Sequence, residues 1–230
     1  MEIDPPSPAK PSTAPRRTAR RTRLAVAAGG VLWTAAVVGG FAVAMIHERT
    51  HAPDHPVATC WPKGSICQPP ADNPMLVVFI HPKCPCTRAS LEEITHLNRR
   101  CGDQLEMQFV FLQPHDASWR SEETEHWRTV RNLNAGRSVV DTAGLEHRRF
   151  NATTSGEVFL FTTNGQLAFH GGVTVGRGHA GESAGRLAIE AIVKKSLSPL
   201  NRAPVFGCAL ESSGQAACSC GRKESMHCDE

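Results

Sequence analysis

MLVVFIHPKCPCTRASLEEITHLNRRCG, residues 75–102, decides how the rest of the chain is read. Met75 to Ile80 is an unbroken apolar run rich in β-branched residues, the pattern of a strand buried on both faces. Downstream, Ala89, Leu91, Ile94 and Leu97 recur at helical spacing, with Glu92, Glu93 and Arg99 largely opposite them. Cys101-Gly102 supplies a helix stop, glycine being favoured just past a C-terminus. Two cysteines therefore stand where a strand passes into a helix. Pro85 suits the first helical position, where a missing N–H costs nothing. That choice puts Cys84 at the N-cap, in the extended geometry that precedes proline.

Outward from this unit, Leu105 to Leu112 (LEMQFVFL) reads as a second strand, and a helix is expected near Glu122 to Arg131. A short apolar stretch, Ser138 to Val140, leads to Asp141, and Leu145 to Phe150 reads as a brief helix. Glu157 to Thr163 and Gln166 to His170 form a hairpin about Asn164-Gly165, a strong turn signal. The glycine-rich GGVTVGRGHAGESAG and a last helix, Ala184 to about Leu197, follow. The glycine-rich loop lacks the phosphate-binding GxxxxGK[ST] pattern. The order β-α-β-α-β-β-α implies an α/β sandwich around one mixed sheet.

Upstream, Leu24 to Ile46 holds 23 residues without a charge, roughly 34 Å as a helix and enough to cross a hydrocarbon core. Arginines 16 to 23 precede it and put the N-terminus in the cytoplasm and the body outside. Ala42-Val43-Ala44 resembles a signal-peptide cleavage site, but the apolar run exceeds the usual h-region of about 7–15 residues, so an uncleaved anchor is preferred. The expected organisation is a disordered basic tail at 1–23, a transmembrane helix at 24–46, a Pro- and His-rich linker at 47–74, an α/β domain at 75–198 and a Cys-containing tail at 199–230. Residues 47–230 carry 19 basic and 20 acidic side chains, which excludes a phosphate-neutralising nucleic-acid surface.

An oxidising compartment changes how the nine cysteines are read. Cys60 and Cys67, in TCWPKGSIC, are expected to form a local disulfide. At an N-cap, unpaired amides and the helix dipole favour the Cys84 thiolate, which makes it the attacking sulfur. Cys86 is the resolving partner, since Cα atoms two residues apart lie roughly 5–7 Å from each other and a bridge across one proline is strained and labile. His81, three residues ahead of Cys84, is an accessory candidate for proton transfer or metal ligation, as is His170. Cys208 in PVFGCAL either reaches back as a second resolving thiol or pairs with Cys101. Cys218, Cys220, His227 and Cys228 lie in the tail and match no defined metal motif.

From Met75 to Leu197 the chain resembles the thioredoxin-like superfamily, through its strand, Cys motif and helix and then GLEHRRFNATTSGEVFLFTTNGQLAFHGG. Together with HPKCPCTRAS and PVFGC, that stretch looks closest to a membrane-tethered, peroxiredoxin-related bacterial group labelled RedB. The resemblance implies a thioredoxin-like mixed sheet flanked by helices, and thiol–disulfide exchange with protein thiols through Cys84. Two departures stand out. Thr87 occupies the second cysteine's slot of C-x-x-C, and Thr153-Thr154-Ser155-Gly156 replaces the family's cis-proline loop, making Thr154 and Ser155 further accessory candidates. The favoured expectation is a membrane-tethered extracytoplasmic thiol–disulfide oxidoreductase without an organic cofactor. The alternative is a periplasmic Cu(I)-binding protein using Cys84, Cys86 and a histidine, His170 or His81.

Overall fold

In the computed structural model, which describes residues 16–133, 136–196 and 200–210, the apolar runs that follow residue 74 are buried in layers about one sheet. The chain divides into two units, residues 1–47 and 48–230. The first is dominated by α1 (Arg16–Arg49), whose stretch Arg21–Arg49 is long and apolar enough to cross a membrane.

In the second unit β1 (Met75–Ile80) lies at the centre of a five-stranded sheet of order β3-β2-β1-β4-β5. It pairs in parallel with β2 (Glu106–Gln113) and antiparallel with β4 (Val158–Phe161). Alternation explains its continuous apolarity. Leu76, Val78 and Ile80 enter one core with Leu91, Ile94 and Leu97 of α2 (Thr87–Cys101) and Ala188, Ile189 and Val193 of α5 (Ala184–Val193). Met75, Val77 and Phe79 enter a second core on the opposite face, with Phe150, Phe159, Phe161 and Leu210. No face of β1 meets water.

The rest follows the expected order with three adjustments. Arg137–Thr142 forms a true edge strand, β3, parallel to β2, although its short apolar stretch promised no strand. The helix expected from Glu122 begins later, as α3 (Glu125–Leu133), after a 3-10 turn at Ser121–Glu123. The last helix stops at Val193; Leu197 lies outside the described residues. α4 (Leu145–Phe150) matches the expected range, and β4 meets β5 (Leu167–Gly171) across the Asn164-Gly165 turn, where Gly165 takes a φ of 78°.

The expected boundaries at 75 and 198 are too narrow. The supposed linker is part of the body, because it covers the sheet face that α2 and α5 leave open. Cys60 bridges Gln166, the Leu167 N–H donates to the Thr59 carbonyl at 2.8 Å, and Trp61 packs edge-on against Phe150 and Phe161. At the other end, Ala203 and Leu210 are hydrogen-bonded to the His170 and Thr153 carbonyls. The tail residues Cys218, Cys220, His227 and Cys228 lie outside the described residues.

Phe150 joins α4 to this second core. It is fully buried, with ring centroids 5.3 Å from Phe79, 5.5 Å from Trp61 and 5.9 Å from both Phe159 and Phe161. Phe150→Ala is expected to cost about 3–5 kcal/mol, because the cavity lies between groups held by the sheet and cannot collapse. Urea denaturation of the two proteins reads that loss as a lower midpoint at unchanged slope.

Candidate functional site

β1 delivers the chain to the site through two successive turns. The Cys84 N–H donates to the His81 carbonyl at 3.0 Å, and the Thr87 N–H to the Cys84 carbonyl at 3.2 Å. α2 therefore starts at Thr87 with Cys86 as its cap residue, and Cys86 makes no side-chain capping bond. This corrects the expected N-cap at Cys84, because the turn that Pro85 permits sits ahead of the helix proper rather than inside it. The helix start still serves the sulfur, through the Cys86 amide and the Thr87 hydroxyl.

Cys84 is only 1% exposed, while Cys86 and Cys208 are half-buried. The three sulfurs lie within 4.8 Å of one another. Burial pushes the Cys84 thiol up, but it is overcome by hydrogen bonds from the Cys208 thiol, the Cys208 amide, Thr87 and the Cys86 amide, and the net shift is downward. Cys208 is driven the other way, to about 12, by burial first, then by the hydrogen bond it gives to Cys84 and by repulsion from the other two sulfurs. Cys86 is also raised, by burial and then by the charge on Cys84, with Arg177 opposing. Of the three sulfurs, Cys84 is thus the one whose ionisation is favoured, while Cys86 and Cys208 are held toward the thiol form.

Cys208 is brought in by residues 153–156, the segment that faces the motif. Ser155 ties three pieces together. Its hydroxyl accepts the His81 N–H at 2.8 Å and shares a hydrogen bond with Thr87 at 2.9 Å, and its own N–H donates to the Cys208 carbonyl at 2.8 Å. Thr154 forms a β-bridge with Ala209. The approach demands glycine at 207, where a Cβ would stand 2.0 Å from the Ser155 carbonyl oxygen. Arg177, from the glycine-rich loop, donates to the Gly207 carbonyl and so fixes the same segment.

The remaining candidates separate. Half-buried His81 borders the motif, its pKa lowered by burial, with Nδ1 accepting the Lys83 N–H at 3.2 Å. Lys83 sits over the Trp119 ring, 4.6 Å from its centroid. His170 does not join the cysteines. It is held at β5 by Glu157, 2.6 Å away, so the third soft donor near Cys84 is Cys208. Cys101 is a free thiol at the far end of α2 and does not pair with Cys208.

The expected Cys60–Cys67 disulfide is also absent: Cys60 is disulfide-bonded, but Cys67 is a free, buried thiol. Cys60 is drawn along Gln166, whereas the turn at Lys63-Gly64 sends Cys67 into the second core, and burial pushes its thiol up to about 12. His126 of α3 was not foreseen from the sequence. Its Nε2–H donates to the Cys84 carbonyl at 2.9 Å, a backbone contact that leaves no mark on residue patterning.

No family model and no curated protein matches the chain significantly. Among solved structures, an uncharacterised conserved protein from Geobacillus kaustophilus matches with a TM-score of 0.51 and 13% identity, over 73% of this chain and 95% of that one. A hypothetical protein from Sinorhizobium meliloti matches with a TM-score of 0.52 and 20% identity, over 70% and 97%. A thioredoxin-like protein solved in its oxidised form overlaps with a TM-score of 0.40 and 18% identity, over 64% and 94%. In this chain a central parallel βαβ unit carries the cysteines at its strand–helix junction, and an antiparallel hairpin completes the sheet. The fold is a mixed five-stranded sheet flanked by helices, an arrangement shared with the Geobacillus and Sinorhizobium structures. Compared with the thioredoxin-like pattern inferred from the sequence, Thr87 and Ser155 meet each other where a second cysteine and a proline would face, and Cys208 closes the cluster.

Because the Cys208 thiol is the strongest of the hydrogen-bond donors to Cys84, Cys208→Ala is expected to move the Cys84 ionisation midpoint upward. The sign follows from linkage: losing a donor to the anion favours the protonated form. Iodoacetamide alkylation of Cys84 against pH, followed by mass spectrometry, measures the midpoint in both proteins, and Thr87→Val is expected to move it the same way by less.

Proposed function

We propose that the protein is a membrane-anchored, extracytoplasmic thiol–disulfide oxidoreductase, with Cys84 as nucleophile and Cys86 as resolving thiol. One observation carries the reading: a nearly inaccessible sulfur whose pKa is nonetheless depressed, with a second thiol beside it near Arg177. A thiolate that is stabilised by fixed donors is what attack on a disulfide requires. The Cys84 thiolate bonds to one sulfur of the substrate disulfide, and the other sulfur leaves as a thiolate and takes a proton. Cys86 then loses its proton and attacks the Cys84 sulfur, releasing the second substrate thiol. Two electrons pass to the substrate, and Cys84 and Cys86 are left as a disulfide. The bridge across Pro85 is tight, which places the pair among labile disulfides and not structural ones. Run backwards, the same steps oxidise a substrate dithiol.

Within this reading α1 is the anchor, and the basic run from Arg16 to Arg23 keeps the N-terminus cytoplasmic. Nearness to the RedB group rests on the sequence alone. A second reading is favoured by the convergence of three sulfurs: Cys84, Cys86 and Cys208 form a soft, three-thiol donor set suited to Cu(I), with Cys208 in the place first given to His170.

Cys84→Ser is expected to abolish reduction of a test disulfide such as insulin, whereas Cys86→Ser leaves a stable mixed disulfide on Cys84 that non-reducing electrophoresis detects. Insulin reduction at the wild-type rate in Cys84→Ser overturns the assignment. Absent turnover in the wild type, combined with Cu(I) uptake from a competing chelator that is lost in Cys208→Ser, selects the copper reading instead.

A further inference from the structure

On the opposite sheet face from α2, three side chains from three separate segments converge. Glu157 stands just ahead of β4, His170 lies on β5 and His55 comes from the segment that packs under the sheet. The His170 Nε2 lies 2.6 Å, and the His55 Nε2 3.0 Å, from the same oxygen, Oε1 of Glu157. The carboxylate is fully buried, and its other oxygen accepts the N–H groups of Thr153 at 2.8 Å and Thr154 at 3.0 Å. Oε1 is thereby left to the two imidazoles.

The polarity of His55 is fixed from its other side. Its Nδ1 lies 3.3 Å from the Pro53 carbonyl oxygen, which can only accept, so Nδ1 carries the hydrogen. In the neutral ring this turns the Nε2 lone pair toward Glu157. That nitrogen is sealed from solvent and makes no hydrogen bond, although Oε1 is 3.0 Å away. In that neutral form two lone pairs face one another across the gap, a conflict that a proton or a metal ion placed between them resolves. A backbone carbonyl holding Nδ1–H while Nε2 points inward is also how proteins orient metal-binding imidazoles.

We propose that His55, Glu157 and His170 bind one divalent transition-metal ion of the zinc class. Two imidazole nitrogens and one carboxylate oxygen make a borderline, sulfur-free set that suits Zn(II) and disfavours Cu(I), so this site is chemically distinct from the three thiols. Ligands 2.0–2.2 Å from a tetrahedral ion stand roughly 3.3–3.6 Å apart, so the imidazoles need only spread by less than about an ångström. Binding displaces the proton on the His170 Nε2 into solvent, since metal ligation requires the free lone pair. The ion clamps the segment around residue 55 to the sheet, and through Glu157 it braces the Thr153 and Thr154 amides.

The test uses the full chain with accessible thiols blocked by N-ethylmaleimide, so it is independent of the redox reading. After dialysis against Zn(II), about one equivalent is expected in the wild type and about one fewer in His55→Ala and in His170→Asn, with zinc raising the melting temperature of the wild type only. Co(II) in place of Zn(II) is expected to give a visible spectrum without sulfur charge transfer. Equal zinc content in the wild type and His55→Ala, no uptake by either, or a sulfur-ligated cobalt spectrum overturns the proposal. In those cases the cluster is an imidazolium–carboxylate contact.

Discussion

A sulfur enclosed by protein resists ionisation, and four hydrogen bonds to Cys84 reverse that resistance. The site is organised around that reversal. Two donors, the Cys86 amide and the Thr87 hydroxyl, come from the first turn of α2. The other two, the thiol and amide of Cys208, come from residues far along the chain. The first pair depends on the strand–turn–helix junction, the second on Ser155, Gly207 and Arg177 holding the 207–209 segment in place. Removing either pair weakens the opposition to burial.

The same arrangement divides labour among chemically identical groups. Each sulfur feels burial first, yet only Cys84 is lowered, because it accepts hydrogen bonds while Cys208 donates one. A negative charge on one sulfur then raises the other two, so the cluster resists ionising twice. Cys86, opposed by Arg177, is the better placed of the remaining thiols to respond when the Cys84 charge is consumed in a bond.

The parts of this fold written in local pattern were legible. Met75–Ile80 announced a doubly buried strand, Asn164-Gly165 a hairpin, and Leu145–Phe150 a short helix, because burial periodicity and turn chemistry act within a few residues. The positions of Cys84 and Cys86 at the strand–helix junction came from the same signals. What failed depended on long-range partners. Cys60 and Cys67 looked like a closed loop by spacing, but Gln166 and the second core claim them separately. His170 was a free-standing ligand candidate until Glu157, thirteen residues away, took it. The Pro- and His-rich stretch before β1 read as a linker because its apolar residues are sparse, yet Val57, Trp61 and Cys67 from it pack into the second core.

The reach from Cys84 to Cys208 also sets a schedule. The two sulfurs are 124 positions apart, so at typical ribosomal speeds roughly 6–25 s pass between their syntheses. During that interval the nascent chain already carries Cys84 but lacks half of the groups that activate it. Cys84 therefore gains its full set of hydrogen-bond donors last, after the residues of the sheet that shelters it have been made, and an unfinished polypeptide holds that sulfur with the donors of its own helix start alone.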